Sequence, residues 1–257
     1  MLRLSSRASG RVQVWITPCI VTMPPPSDTL IVPSNERLCG ANFSHFPVGG
    51  PTPLGEYVGE RSHPWGTPRT ARMLYQCESI DGVLSEQFGG VERDVIESVA
   101  PVILGDEKYP VRCRTGDAVG PVPVPPGSLR NVFDRLILSV APFWPKPPPL
   151  NSHSNSGPSF PADWRRELLS SYLASFAIAR GAGSRGCATP ILGAGARGAP
   201  ADRACAVAAE AAGKFLCRRG EGDVRGGMVI HFAVQDDDVA ECLDEALGNV
   251  LRSAKSR

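Results

Sequence analysis

The chain has 257 residues, a formal net charge of +1, 42% hydrophobic and 21% charged residues. It is long enough for a sizeable core and has the composition of an ordinary globular protein. Near-neutral charge gives no global field for a nucleic-acid partner, and apolar runs such as Leu136 to Val140 are far too short for a membrane span.

In chain order, residues 1–11 are a basic tail with arginine and serine but no acid, the first acid being Asp28. That composition suits either a short tail before the first strand or a mitochondrial presequence. The expected location is intracellular, cytoplasmic or nuclear, with mitochondrial as the alternative. Residues 12–257 are expected to form one domain. Val12 to Thr17 reads as its first strand, and Thr29 to Val32 as the next, after the prolines 24–26. Residues 43–70, rich in Gly, Pro and Ser, read as a long loop insertion. Ser85 to Val99 suits a helix with Ser85 as N-cap. Leu136 to Val140 is a strand closed by Ala141-Pro142, and residues 143–160 a second long insertion.

The second half is more regular. Trp164, Leu168, Tyr172 and Phe176 recur every fourth residue in a helix from Pro161 to about Arg180, with Gly181 as its cap. Gly186 to Leu192 is a short buried strand, and Ala201 to Arg219 a helix with a small-residue face. Met228 to Val234 is a buried strand, and Asp236 to Asp238 open a last helix by complementing its dipole. Alternating strands and helices predict an α/β fold around a largely parallel sheet.

Eight cysteines without a C-x-x-C pair, several in apolar segments, read as free thiols in a reducing compartment. Four isolated histidines offer no zinc-ligand spacing, and no metal or cofactor is expected. His231, inside a buried strand, reads as a satisfied core histidine.

The dinucleotide pattern G-x-G-x-x-G occurs twice. GAGSRG, residues 181–186, follows a helix and precedes a strand, so its glycines only cap and turn the chain. GAGARG, residues 193–198, follows a strand and precedes a helix, as the motif requires. Pro200, however, starts that helix after the motif instead of within it, and too little chain remains for a doubly wound half. What survives is a glycine-rich turn whose amides suit a phosphate, with a ligand-free turn as the alternative.

CATPILGAGARGAPADRACAVAAEAAGKFL, from Cys187 onward, resembles the phosphate-loop segment of macro domains, the ADP-ribose-binding family. ELLSSYLASFAIARG before it and MVIHFAV after it are similar to that family's flanking helix and final strand. TLIVPSNERL resembles the strand ending in N-x-A-N, with Asn35 on the final Asn. Ser79 to Gly82 resembles Val-Asp-Gly, with Asp81 on its acid. Val111 to Asp117 resembles C-x-T-G-x-A, and LILSVAPFW the strand ending in valine and proline.

The resemblance implies a three-layer α/β/α sandwich around a central mixed sheet. It implies a ligand site made of Asn35, Ile80, Gly82 and the loop Gly193, Ala194, Gly195, Ala196, Arg197 and Gly198. It also implies that Asn35 and Asp81 are the catalytic residues of any hydrolytic member. The partners it implies are ADP-ribose or an ADP-ribosylated protein.

The chain departs from the family in five places, one being the gap from Asn35 to Asp81, which is far longer than usual and is filled by the 43–70 loop. Val14 to Thr17 stands where Gly-Asp-Ile-Thr is usual, so the adenine-holding Asp is missing. Val32 replaces the first Asn, and Cys77-Glu78-Ser79 replaces the glycines of the first loop. Arg197 stands where an aromatic residue is often found.

Three functions follow from these features. One is an ADP-ribose-type binding module. Another is a hydrolase of the same fold, removing ADP-ribose from proteins or deacylating O-acetyl-ADP-ribose. The third is a degenerate fold serving protein interaction without nucleotide. Arg197 either adds a charge-assisted bond to a phosphate or is solvated. Asn35 and Asp81 either act on a ligand or shape turns.

Overall fold

The computed structural model describes residues 2–5, 10–36, 38, 80, 84, 99–102, 111–124, 132–144, 162–195, 197–217 and 227–255. The expected 43–70 loop lies outside these residues, as do Ser85 and all but the end of its helix.

Seven strands form one sheet: β1 (Arg3–Leu4), β2 (Val12–Ile16), β3 (Thr29–Pro33), β4 (Ala118–Pro123), β5 (Arg135–Ser139), β6 (Gly186–Thr189) and β7 (Val229–Val234). Their spatial order is β1-β2-β7-β6-β3-β5-β4. The five central strands are parallel, and the two edge strands pair antiparallel with β2 and β5. The mixed sheet agrees with the expected fold class.

Two strands escape a sequence reading. Arg3–Leu4, within the segment read as a tail, registers on Trp15 and Ile16. β4 reads AVGPVP, with two prolines, and proline is tolerated at a sheet edge because no ladder bond is required of it on the outer side.

Three helices are described: α1 (Ala162–Gly181), α2 (Ala201–Cys217) and α3 (Asp237–Lys255). Side chains alternate between the two faces of each strand. Ile31 and Ile137 join a core cluster with all three helices, while Leu30, Val32, Leu136 and Leu138 join a second cluster on the other face. The second cluster includes Leu38, Leu84 and Phe133, with Ile80 packed against it. Both faces of the central strands are therefore covered, which explains their continuous apolar sequence.

The expected stripe of α1 is observed: Trp164, Leu168, Tyr172 and Phe176 are all buried against the sheet and α2. Burial of each contributes about 1.5–3 kcal/mol before the entropy cost is subtracted. Asp236 caps α3 by accepting the Val239 amide at 3.0 Å. The six described cysteines are free, with Cys113, Cys187 and Cys205 buried. No helix among the described residues is long and apolar enough to cross a membrane.

His231 is buried on β7 and accepts the Trp15 indole N–H on Nδ1 at 3.0 Å. Burial pulls its pKa down to about 4 against the opposing charge of Asp28, so it is neutral at physiological pH.

Candidate functional site

The parallel strands β3, β5, β6 and β7 end on one edge of the sheet, where open α/β sheets place their ligands. β6 ends at Thr189, and the chain runs through Pro190 and Ile191 into a turn that reaches α2 at Ala201. The turn needs glycine at Gly193 and Gly198, whose φ angles are 85° and 77°. It is closed by the Ala199 amide donating to the Gly193 carbonyl at 2.9 Å and the Gly198 amide donating to the Gly195 carbonyl at 2.9 Å. Pro200 precedes the first helical residue, and its carbonyl accepts from the Arg203 and Ala204 amides.

The start of the turn rests on α1. The phenol oxygen of Tyr172 accepts the Leu192 amide at 2.7 Å, and Leu192 itself is fully buried. Burial holds the phenol far above its ordinary pKa, with the Leu192 bond opposing, so Tyr172 stays neutral. Within the turn, the amides of Gly193, Gly195 and Arg197 donate no hydrogen bond among the described residues. Three unpaired donors beside a helix N-terminus match the partial positive charge that an anionic ligand group requires.

The side chain of Arg197 is not solvated; it is only 11% exposed. Its two terminal nitrogens face the two carboxylate oxygens of Glu36, each at 3.4 Å, and one also donates to the Ser34 carbonyl at 3.1 Å. The guanidinium lies 4.0 Å from the centroid of the Phe143 ring. The Trp144 amide donates to the Arg197 carbonyl at 2.7 Å. Arg197 thus joins the turn to the segments that follow β3 and β5.

Glu36 is the acceptor at the centre of this arrangement. Its carboxylate also takes the Thr115 hydroxyl at 2.7 Å, and its carbonyl takes the Arg112 and Cys113 amides at 2.8 and 3.0 Å. Burial alone would raise its pKa, but the Arg197 charge and the Thr115 hydroxyl outweigh it and hold the carboxyl below its ordinary value. Burial likewise presses on the Arg197 cation, and Glu36 opposes it. Beside this pair, the Cys113 thiol is pushed up to about 12 by burial and by the charges of Asp117 and Glu36, so it is no nucleophile.

Of the expected site residues, Asn35 lies two residues after β3, is 7% exposed, and takes the Leu38 amide on its carbonyl at 2.9 Å. The Ser34 and Glu36 contacts of Arg197 tie this residue's segment to the turn that contains Gly193, Ala194, Gly195 and Gly198. Ile80 is half-buried against the second core cluster. Asp81, Gly82 and Ala196 lie outside the described residues. Sequence reasoning missed Glu36, Thr115, Tyr172 and Phe143. Glu36 adjoins Asn35, but its partner is 161 residues away.

The departures from the family pattern also have positions. Trp15 bonds His231, and the Thr17 hydroxyl donates to the Met23 carbonyl at 2.7 Å and the Cys19 carbonyl at 3.1 Å. Val32 is fully buried in the second cluster.

A parallel-centred α/β sheet with a glycine turn and a buried polar segment at its strand ends belongs to the class of folds that take ligands at that edge. Among solved structures the particular fold is that of macrodomains. An Oceanobacillus iheyensis macrodomain with ADP aligns with a TM-score of 0.60 at 13% identity, covering 98% of each chain. A Trypanosoma brucei macrodomain in complex with ADP-ribose aligns with a TM-score of 0.56 at 15% identity, over 96% of this chain and 75% of that one. The macro domain of ganglioside induced differentiation associated protein 2 gives 0.52 at 15% identity, over 91% and 82%. No protein-family profile and no curated protein matches the chain. The chain therefore has the macro-domain fold, at sequence distances that carry the fold alone.

Proposed function

We propose that the protein is a member of the macro-domain family that binds ADP-ribose or a related ADP-ribosyl ligand at the strand ends, with an ADP-ribosylated protein as the partner that presents it. The observation that carries this reading is the turn of residues 192–200. It leaves the Gly193, Gly195 and Arg197 amides unpaired among the described residues, at the mouth of α2. A pyrophosphate supplies the acceptors those amides lack. The macrodomains aligned above hold ADP and ADP-ribose, which supports the same ligand class here.

The Arg197 side chain contributes to this reading indirectly, since its donors are engaged by Glu36 and Ser34. Ala194 and Gly198 belong to the same turn, and the family pattern adds Ala196, Asn35, Ile80 and Gly82 as ligand-binding positions, with Asn35 on the ribose. Isothermal titration with ADP-ribose tests the proposal. Saturable heat at one site per chain is expected; no heat and no thermal shift at millimolar ligand would sink it.

Retention of Asn35 at the site edge favours hydrolysis as the second reading. In that reading Asp81 accepts a proton from water attacking the anomeric carbon or an acyl ester, and Asn35 orients the ribose hydroxyls. Incubation with a mono-ADP-ribosylated protein separates binder from hydrolase. Release of ADP-ribose that persists unchanged in both Asn35→Ala and Asp81→Ala refutes the catalytic assignment.

A further inference from the structure

We propose that Glu36 is a positioning residue of the ligand site. On this view it uses Arg197 as a strut that sets the spacing between the Asn35 segment and the glycine turn, and Arg197 is not itself a phosphate ligand. The inference rests on the reading of this edge as an ADP-ribosyl site.

Four separate stretches of chain converge on this pair. Ser34 and Glu36 come from the end of β3. Arg112, Cys113 and Thr115 come from the segment before β4. Phe143 and Trp144 follow β5, and Arg197 belongs to the turn after β6. All four segments adjoin the ligand edge of the sheet, and Glu36 or Arg197 bonds or stacks with each.

The geometry uses what is particular to these side chains. The flat guanidinium meets the carboxylate fork to fork, its second contact reaches a backbone carbonyl, and its face rests on an aromatic ring. A lysine can satisfy one of these contacts but not all. The carboxylate spends its remaining capacity on the Thr115 hydroxyl, so neither charge of the pair is left to reach outward. An anionic ligand would then be held by backbone amides, while the ion pair fixes where those amides stand. Because the turn is aligned before the ligand arrives, binding need not spend free energy on ordering it.

The competing assignment, in which Arg197 is a phosphate ligand held back by Glu36, predicts the opposite sign. Removing the Glu36 charge would free the guanidinium and tighten binding. The test is titration of ADP-ribose into the full chain and into Glu36→Gln, Arg197→Met and Arg197→Lys, each well below its melting temperature.

The strut predicts that Glu36→Gln, which keeps size and shape, weakens binding roughly tenfold, the scale of a lost preorganising contact. Arg197→Lys should lose as much as Arg197→Met, because the positive charge alone does not restore the fork. A purely structural role would lower the melting temperature and leave the affinity of the folded protein unchanged. Tighter binding by Glu36→Gln, full retention by Arg197→Lys, or unchanged affinity in all three variants overturns the strut. If Arg197→Met fails to fold, Glu36→Gln and Arg197→Lys still decide the matter. Wild-type protein that takes up no ADP-ribose removes the proposed function and the strut together, whereas a binding wild type with unaffected variants removes the strut alone.

Discussion

Two stretches of this chain carry the same six-letter pattern and do opposite things. GAGSRG, 181–186, closes α1: the Ala182, Gly183 and Ser184 amides donate back to the Ile178, Arg180 and Ala179 carbonyls. Gly183, at φ 73°, takes the left-handed conformation that ends a helix, two places beyond the expected cap at Gly181. GAGARG, 193–198, uses two left-handed glycines, Gly193 and Gly198, but it follows a strand. Its Gly193, Gly195 and Arg197 amides have no partner among the described residues. After a helix, the carbonyls of the last turn consume the turn's donors. After a strand, no helical carbonyls are in reach, and the Gly193, Gly195 and Arg197 donors stay open among the described residues. The preceding element, not the glycine spacing, decides whether a turn can hold an anion.

Adding a side chain to each turn should separate the two by the largest margin. Gly193→Val adds bulk at a φ of 85°, where a built Cβ already stands 3.5 Å from Leu168 Cδ1. The left-handed strain costs about 1–2 kcal/mol and the steric demand adds to it. A fall in ADP-ribose affinity of more than about tenfold is expected. Gly183→Ala meets similar strain at φ 73° with nothing within 4 Å of its Cβ. It should lower the melting temperature and leave the affinity untouched, as paired unfolding and titration experiments would show.

Next in size is the support beneath the turn. Tyr172→Phe removes the acceptor of the Leu192 amide in a fully buried position. Leaving that donor unsatisfied costs about 1–3 kcal/mol, read from denaturant unfolding, with weaker ADP-ribose binding alongside. The Gly181–Gly186 turn takes no bond from Tyr172, so amide-exchange protection at Ser184 should fall only by the global loss of stability.

The smallest effect is in acid. The Glu36 carboxyl is held below its ordinary value, so the stability it contributes is present above the unfolded-state value of about 4.3 and is lost as pH falls through the folded one. Protection factors at Gly198 and Ala199 should drop in that window while those at Gly183 and Ser184, whose amides donate to backbone carbonyls of α1, hold steady. Equal loss in both turns would separate Glu36 from the glycine turn. His231 acts over a neighbouring range with its own signature. Its folded pKa of about 4 lies below its usual value, so the unfolded chain takes up a proton first and stability falls as pH drops from about 6.5 toward 4. Repeating the exchange series in His231→Gln isolates the Glu36 effect.

The helices and central strands were legible because burial imposes periodicity. Trp164, Leu168, Tyr172 and Phe176 mark α1 by spacing alone, and TLIVP and VIHFAV mark strands buried on both faces. β4 was hidden because an edge strand tolerates the prolines and glycine that normally signal a loop, and β1 because two residues carry no period. The glycine turn could be located by its neighbours, a strand before it and Pro200 after it. The engagement of Arg197 could not. Its partners Ser34 and Glu36 are more than 160 positions away, and a lone arginine in a small-residue loop reads equally as a phosphate ligand or a solvated charge. Long-range polar pairs leave no local trace in sequence, whereas apolar faces do.

Amide NMR during a titration with ADP-ribose distinguishes the turn after β6 from its twin as the receiver of an anionic ligand. The largest shifts are expected at the Gly193, Gly195 and Arg197 amides, saturating together, with Gly183 and Ser184 unmoved. Shifts centred on the Gly181–Gly186 turn, or none at residues 193–198 while ligand binds elsewhere, would contradict this assignment.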